Sequence, residues 1–317
     1  MAGDSDTWHE RTGGPVQKGN ANTVTGSTID RTLVLSDGRR LGVAEYGDPA
    51  GRPLLYQHGI PGSRLDVSIG AAEAARRGVR LIALDRPGIG VSDFRPGYRL
   101  IDWPSDVVQA ADQLGLERFA VLGHSAGVPF ALACAAITPG RLTRCGVVSG
   151  AAPADRPEVR AGMSAGNRLS YFLGGKVPWL SHLQFGLMAK VMRGNPAGAM
   201  RQMQRIARGA DKAFLQRNPD FVAAMAASSG ESFRQGSKGV EWQFGLMTRP
   251  WGFHLEGIAV PVHLWHGEAD SNAPLAMGRY LAQTIPNCQA HFLPGEGHLS
   301  ALGNHLGEIL GTLTAGD

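Results

Sequence analysis

Phe119-Ala120-Val121-Leu122-Gly123-His124-Ser125-Ala126-Gly127-Val128-Pro129-Phe130 decides how this chain folds. Four apolar residues suited to a buried strand run into Gly-x-Ser-x-Gly, and a small-residue run from Val128 to Ala136 follows with helical character. A strand that reverses sharply into a helix strains its turn residue and crowds the flanks, so neighbouring side chains must be small or absent. In return the serine hydroxyl stands clear of the sheet, beside helix N-terminal amides that favour developing negative charge. The pentapeptide alone says little in a chain with 44 glycines. Set between a strand and a helix, it makes Ser125 a candidate nucleophile rather than a turn residue.

On either side of this stretch, strand-like and helix-like runs alternate. Residues 31–36 and 40–46 flank Asp37-Gly38 as a β-hairpin. Residues 53–57, 80–84 and 145–149 share with 119–122 the short apolar character of strands buried on both faces. Helical patterns fall near 65–77, 102–114 and 126–137. The alternation resumes with a strand at 260–265, a helix at 274–284, a strand at 289–293 and a helix at 299–313. This order predicts an α/β fold: a mostly parallel central sheet with helices on both faces. Residues 28–152 and 256–317 are expected to form that core, and 153–255 an inserted helical cap with turns at Gly174-Gly175, Asn195-Pro196 and Asn218-Pro219. Residues 1–27, polar and rich in Gly, Asn and Thr, are expected to be a flexible tail.

Composition narrows the function classes. The 317 residues are 43% hydrophobic and 18% charged, enough apolar material for a buried sheet. No uninterrupted apolar stretch reaches bilayer-spanning length, and the N-terminus lacks the basic start and apolar core of a secretory signal. Cys134, Cys145 and Cys288 are too few for a disulfide framework, so a reduced, cytoplasmic setting is expected. A net charge of +4, with basic residues scattered and no interleaved aromatics, argues against a nucleic-acid partner. Gly88-Ile89-Gly90 follows a strand, but Asp93 stands where a dinucleotide loop needs its third glycine. His263 and His266 lie three apart on or beside a strand, pointing to opposite faces rather than at one metal. No cofactor and no metal are expected. The expected partner is a small-molecule substrate, with self-association as a homodimer left open.

A serine hydroxyl needs a base to take its proton, and the base needs an orienting carboxylate. Both occur at the ends of the last two core strands. Asp270 follows Val262-His263-Leu264-Trp265 in His266-Gly267-Glu268-Ala269-Asp270, and His298 follows His291-Phe292-Leu293 in Gly295-Glu296-Gly297-His298. Loops at the carboxyl ends of parallel strands converge on one crevice, where Ser125, Asp270 and His298 should meet. Glu268 in the same loop and Asp155, the first carboxylate after residues 145–149, are the weaker candidates for the acid.

With these residues the chain resembles the α/β-hydrolase superfamily, in its serine-nucleophile, cap-bearing branch. The resemblance rests on His58-Gly59-Ile60-Pro61-Gly62, on Asp85-Arg86-Pro87-Gly88-Ile89-Gly90-Val91-Ser92, on the serine turn, and on Gly267-Glu268-Ala269-Asp270 with Pro274 beyond. It covers nearly everything from Thr32 onward; over the cap it is architectural only. It implies Ser125 as nucleophile, His298 as general base and then acid, and Asp270 as orienting carboxylate. It also implies an oxyanion hole from the backbone N–H groups of Ala126 and Ile60, and Pro61 is expected to bias Ile60 towards an extended conformation.

A serine at this position, where relatives acting on epoxides or haloalkanes carry aspartate, implies acyl chemistry on an ester, thioester, lactone or amide. The alternatives are carbon–carbon bond hydrolysis, lyase or cyclase chemistry, and a non-hydrolytic ligand-binding receptor. The cap has few carboxylates with which to hold a peptide's amino terminus, which lowers a peptidase reading. It holds seven of the nine methionines, whose flexible thioethers conform to irregular apolar ligands. A bulky hydrophobic acyl substrate is therefore expected, with an acidic substituent left open. Arg201, Arg205 and Arg208 share one helical face and read as solvated. His58, Gly59, His124, Met188, Met192 and Trp179 are the candidate substrate contacts.

Overall fold

The structure is a computed structural model and describes residues 27–163 and 165–316. The tail expected over 1–27 lies outside the described residues, except for Ser27 at the start of the first strand. β1 (Ser27–Val34) and β2 (Arg40–Gly47) pair as the expected hairpin, and β2 also lies antiparallel to β4 (Val79–Leu84). β3 (Arg52–Gln57), β4, β5 (Phe119–His124), β6 (Leu142–Val148), β7 (Val262–Gly267) and β8 (Cys288–Leu293) run parallel. The sheet order is β1-β2-β4-β3-β5-β6-β7-β8. The apolar runs at β3 to β7 are buried because helices cover both faces. β8, at the edge, exposes Gln289, Ala290 and His291.

α1 (Ala71–Arg76) and α12 (Ser300–Leu313) cover one face, where Ala74, Leu306 and Leu310 pack on Leu54, Leu81 and Leu122. On the other face, α2 (Trp103–Gln113), α3 (Val128–Ile137) and α11 (Leu275–Thr284) bury Trp103, Phe130 and Leu281 against Leu55, Val121 and Leu264. Every residue from Val128 to Ala135 is buried, so α3 is the central helix under the serine turn.

Between β6 and β7 the described residues form α4 (Pro157–Ala161), α5 (Ala165–Lys176), α6 (Pro178–Gly194), α7 (Pro196–Ile206), α8 (Gly209–Arg217), α9 (Pro219–Ser232) and α10 (Lys238–Met247). Asn195-Pro196 and Asn218-Pro219 start helices there: proline fills the first helical position, and Asn195 Oδ1 accepts the Gly198 N–H at 2.8 Å. Gly174-Gly175 was expected to turn and instead lies inside α5. A Cβ at Gly174 would meet the Phe244 ring at 2.9 Å, so its missing side chain serves close packing of α5 on α10. None of the described helices is long and apolar enough to cross a membrane.

Candidate active site

The strands deliver their loops to one edge of the sheet. β5 ends on His124, and the chain reverses at Ser125 with φ 55°, a left-handed conformation rare for a residue with a side chain. A Cβ on Gly127 would lie 2.0 Å from the Gln57 carbonyl oxygen, so the turn closes against β3 only because that residue is glycine. Ser125 leads into α3 through one tight turn, residues 125–127. Parallel pairing of β7 with β8 sets the loops that carry Asp270 and His298 side by side.

These loops bring the three expected residues together. Ser125 Oγ lies 2.9 Å from His298 Nε2, and His298 Nδ1 lies 2.8 Å from Asp270 Oδ2. Asp270 Oδ1 accepts the backbone N–H groups of Asn272 and Ala273 at 2.8 and 2.9 Å, which fixes the carboxylate. Burial of His298 disfavours its cation, yet the charges of Asp270 and Asp211 outweigh this and raise its pKa above the ordinary histidine value. Burial acts against ionisation of Asp270 as well, but His298 prevails and holds the acid below its usual range. Glu268 and Asp155, the weaker candidates, are both exposed.

Two neighbouring histidines are neutral by environment. Burial and the proximity of His298 push His124 down to about 3, and its Nε2 lies 3.2 Å from the His298 carbonyl. His266 is lowered chiefly by burial, and its Nε2–H can donate to the Ala273 carbonyl at 2.8 Å. With both neutral, His298 is the group placed to take a proton from Ser125.

Asp211, in the first turn of α8, is the principal residue the sequence reading missed. Its Oδ2 accepts the His298 N–H at 3.0 Å, and its Oδ1 accepts those of Leu299 and Ser300 at 2.9 and 3.0 Å. It thereby supplies acceptors and negative charge to the free amides at the start of α12 and clamps the backbone of His298. A Cβ at Gly297 would come within 2.5 Å of this carboxylate, so the glycine before His298 makes room for it. Nothing local signals the contact, because the partners lie 87 residues apart.

Two cavities fork from the serine, of about 310 and about 240 Å³. Ser125, His298, Ile60, Pro61, Met188 and Asn272 border both. The first arm is walled by Tyr171, Phe185, Phe244, Met247 and Met277, with Asn167, Ser170 and Gln184 as polar groups. The second is walled by Met188, Met192, Met200, Met203 and Met225 with Phe221, Leu299 and Leu302. Ala126 borders the first arm beside Ser125; Ile60 precedes Pro61 through a cis peptide bond.

The candidate contacts divide. Gly59, His124, Met188 and Met192 border the methionine arm. His58 does not border either cavity: it is buried beneath the loop, where Arg86 donates to the His58 and Gly59 carbonyls at 2.7 and 3.2 Å. Trp179 is 71% exposed, because it falls in the row Trp179, Leu183, Leu187, Val191 on the outer side of α6, while Phe185, Met188 and Met192 take the inner side. An acidic substituent also finds no support, since neither cavity is bordered by Lys or Arg. The methionine arm holds a carboxylate instead. Asp66 accepts the Tyr56 hydroxyl at 2.9 Å, and burial raises its pKa. Arg201, Arg205 and Arg208 are exposed, but they do not share one helical face: α7 ends at Ile206, and Arg208 caps α8 in an extended conformation.

Comparison with known proteins agrees with this fold. The chain belongs to the alpha/beta hydrolase fold family, whose model matches residues 52–304. It is similar to the esterase RhEst1 from Rhodococcus sp. ECU1013, with TM-score 0.62 and 23% identity over 90% of this chain and 99% of that one. The enol-lactonase from Burkholderia xenovorans LB400 superposes with TM-score 0.63 and 19% identity over 89% and 97%. Among curated sequences, a non-heme chloroperoxidase of Streptomyces lividans is 32% identical over 124 residues, 38% of this chain and 45% of that protein. The chain spans less than half the length of the curated relatives it matches.

Proposed function

We propose that this protein is a serine hydrolase that cleaves a bulky hydrophobic ester, thioester or lactone through an acyl-enzyme on Ser125. The observation that carries the reading is the unbroken hydrogen-bond line from Ser125 through His298 to Asp270 at the fork of two apolar cavities. His298 Nε2 takes the Ser125 proton as Oγ attacks the acyl carbon. The oxyanion forms against the backbone N–H groups of Ala126 and Ile60. Asp270 and Asp211 stabilise the imidazolium, which then protonates the leaving oxygen or sulfur. Water, activated by the same imidazole, releases the acid and restores the serine.

The forked cavity supports a substrate with a sizeable apolar group on each side of the scissile bond. The methionine arm suits irregular or flexible groups, and the aromatic arm, with its amide side chains, suits a flatter and more polar one. The helical insertion serves as the cap that closes both. That relatives of this fold include an esterase and an enol-lactonase fits acyl chemistry.

Intact-protein mass spectrometry after treatment with a fluorophosphonate tests the reading. A single adduct on the wild type and none on Ser125→Ala is expected, followed by turnover in a panel of aryl and alkyl esters, thioesters and lactones. A folded wild type that takes no adduct and turns over nothing in the panel refutes it.

A further inference from the structure

The outer surface of the insertion gathers most of the exposed large apolar side chains among the described residues. Leu169 and Phe172 on α5 and Trp179, Leu183, Leu187 and Val191 on α6 are all exposed, from 48% to 71%. Ile206, at the end of α7, is 67% exposed. The four residues on α6 recur every fourth position, so they form one ridge along the helix, and α5 packs beside it. A contiguous apolar surface of this kind on a folded domain marks a docking site.

Charge identifies the occupant. No Asp or Glu occurs between Glu158 and Asp211, a segment that contains all of α5, α6 and α7. The same helices and the turn after them expose Arg168, Lys190, Arg193, Arg201, Arg205 and Arg208. Among the described residues none of these six is paired with a carboxylate; Glu241 of α10 reaches α6 but meets His182. An apolar ridge with an indole at one end, bordered by unpaired cations, matches the chemistry of an anionic lipid surface: acyl chains for the ridge and headgroups for the cations. A second copy of this chain would bring the same unpaired cations against one another, with no acid in the segment to answer them.

α6 connects that surface to the site. Its inner side supplies Phe185, Met188 and Met192 to the cavities at Ser125, and its outer side carries the exposed ridge. We propose that the outer face of α5–α7 docks on an anionic lipid surface, so that a lipid-dissolved hydrophobic ester enters the forked cavity from the membrane side. The choice of substrate pool rests on the hydrolase reading above; the docking itself does not.

The test is co-sedimentation of the protein with vesicles of phosphatidylcholine alone and of phosphatidylcholine mixed with phosphatidylglycerol. It is run on the wild type and on Ser125→Ala, which needs no turnover to report binding. Binding at least about tenfold tighter to the anionic vesicles is expected, weakening as salt screens the headgroups. The doubles Leu183→Ser/Leu187→Ser and Arg201→Glu/Arg205→Glu should each lose at least about tenfold in vesicle affinity. Both should hydrolyse a water-soluble short-chain ester like the wild type, because none of the four residues borders a cavity. Equal affinity for the two vesicles, or none for either, overturns the proposal. So does a dimer in sedimentation that Leu183→Ser/Leu187→Ser dissociates, since the face then belongs to a second copy. Vesicle binding by a protein that turns over no ester leaves the docking standing and removes the hydrolase reading instead.

Discussion

Ser125 carries a backbone cost that the nucleophile's role proposed for it would explain. A side chain at φ 55° is strained by about 1–2 kcal/mol, which glycine escapes. Ser125→Gly is therefore expected to be inactive yet more stable than Ser125→Ala by about 1 kcal/mol, read from urea midpoints. Equal stability would mean that the turn relaxes when the hydroxyl is lost. On the proposed mechanism His298 sets the pH response. Its neutral form would be the base, and its pKa lies above the ordinary histidine value, so kcat/KM should fall as pH drops through a point above about 6.5. Asp211→Asn removes one of the two charges that hold the imidazolium up, and should move this acid limb to lower pH while leaving the alkaline plateau flat. A limb that stays in place would confine Asp211 to holding the fold. The meeting of Ser125, His298 and Asp270 was legible in the sequence because each of the three follows a recognisable strand. Asp211 was not, since its meaning depends on a contact between α8 and the start of α12. Trp179 was misread for the complementary reason: composition places an indole in the insertion, but only the helix's rotation decides which side it faces.

At the scale of elements, the insertion is tied to the sheet by ions as well as by packing. Arg64, in the loop after β3, donates to Asp85 at the end of β4 and to Glu231 of α9 from one nitrogen, at 2.8 and 2.7 Å, and reaches Asp30 of β1 with two others. Arg64 and Asp85 are both buried. Arg64→Ala should cost about 3–5 kcal/mol, because it leaves the Asp85 carboxylate dry and unpaired. Arg40→Ala, which breaks an exposed pair with Asp93, should cost less than about 1 kcal/mol. Similar losses in chemical denaturation would mean that water reaches Asp85 in the native state. The strands were readable from short apolar runs, and only their ends moved: β6 begins at Leu142 and β7 at Val262, against expected starts at 145 and 260. Helix boundaries within the insertion were less readable. An Asn-Pro pair serves a turn or a helix start equally well, and Gly174-Gly175 looks like a break until Phe244 is seen against it.

Over the whole molecule, legibility follows burial. The strands β3 to β7 are enclosed on both faces, so they must be apolar and their loops must turn at fixed places; both leave marks in a single sequence. The helical insertion meets the sheet on one side only, and its other side answers to something outside the chain, which no internal periodicity can reveal. The sequential position of that insertion has a consequence in time. Ser125 directly follows β5, and becomes part of a folded layer once β6 pairs beside that strand. Asp270 and His298 arrive only after α4 to α10, on loops that exist only when β7 and β8 have joined the sheet's edge. On the proposed mechanism the serine therefore stays inert through the 173 residues that separate it from His298, and is armed only when β7 and β8 are in place.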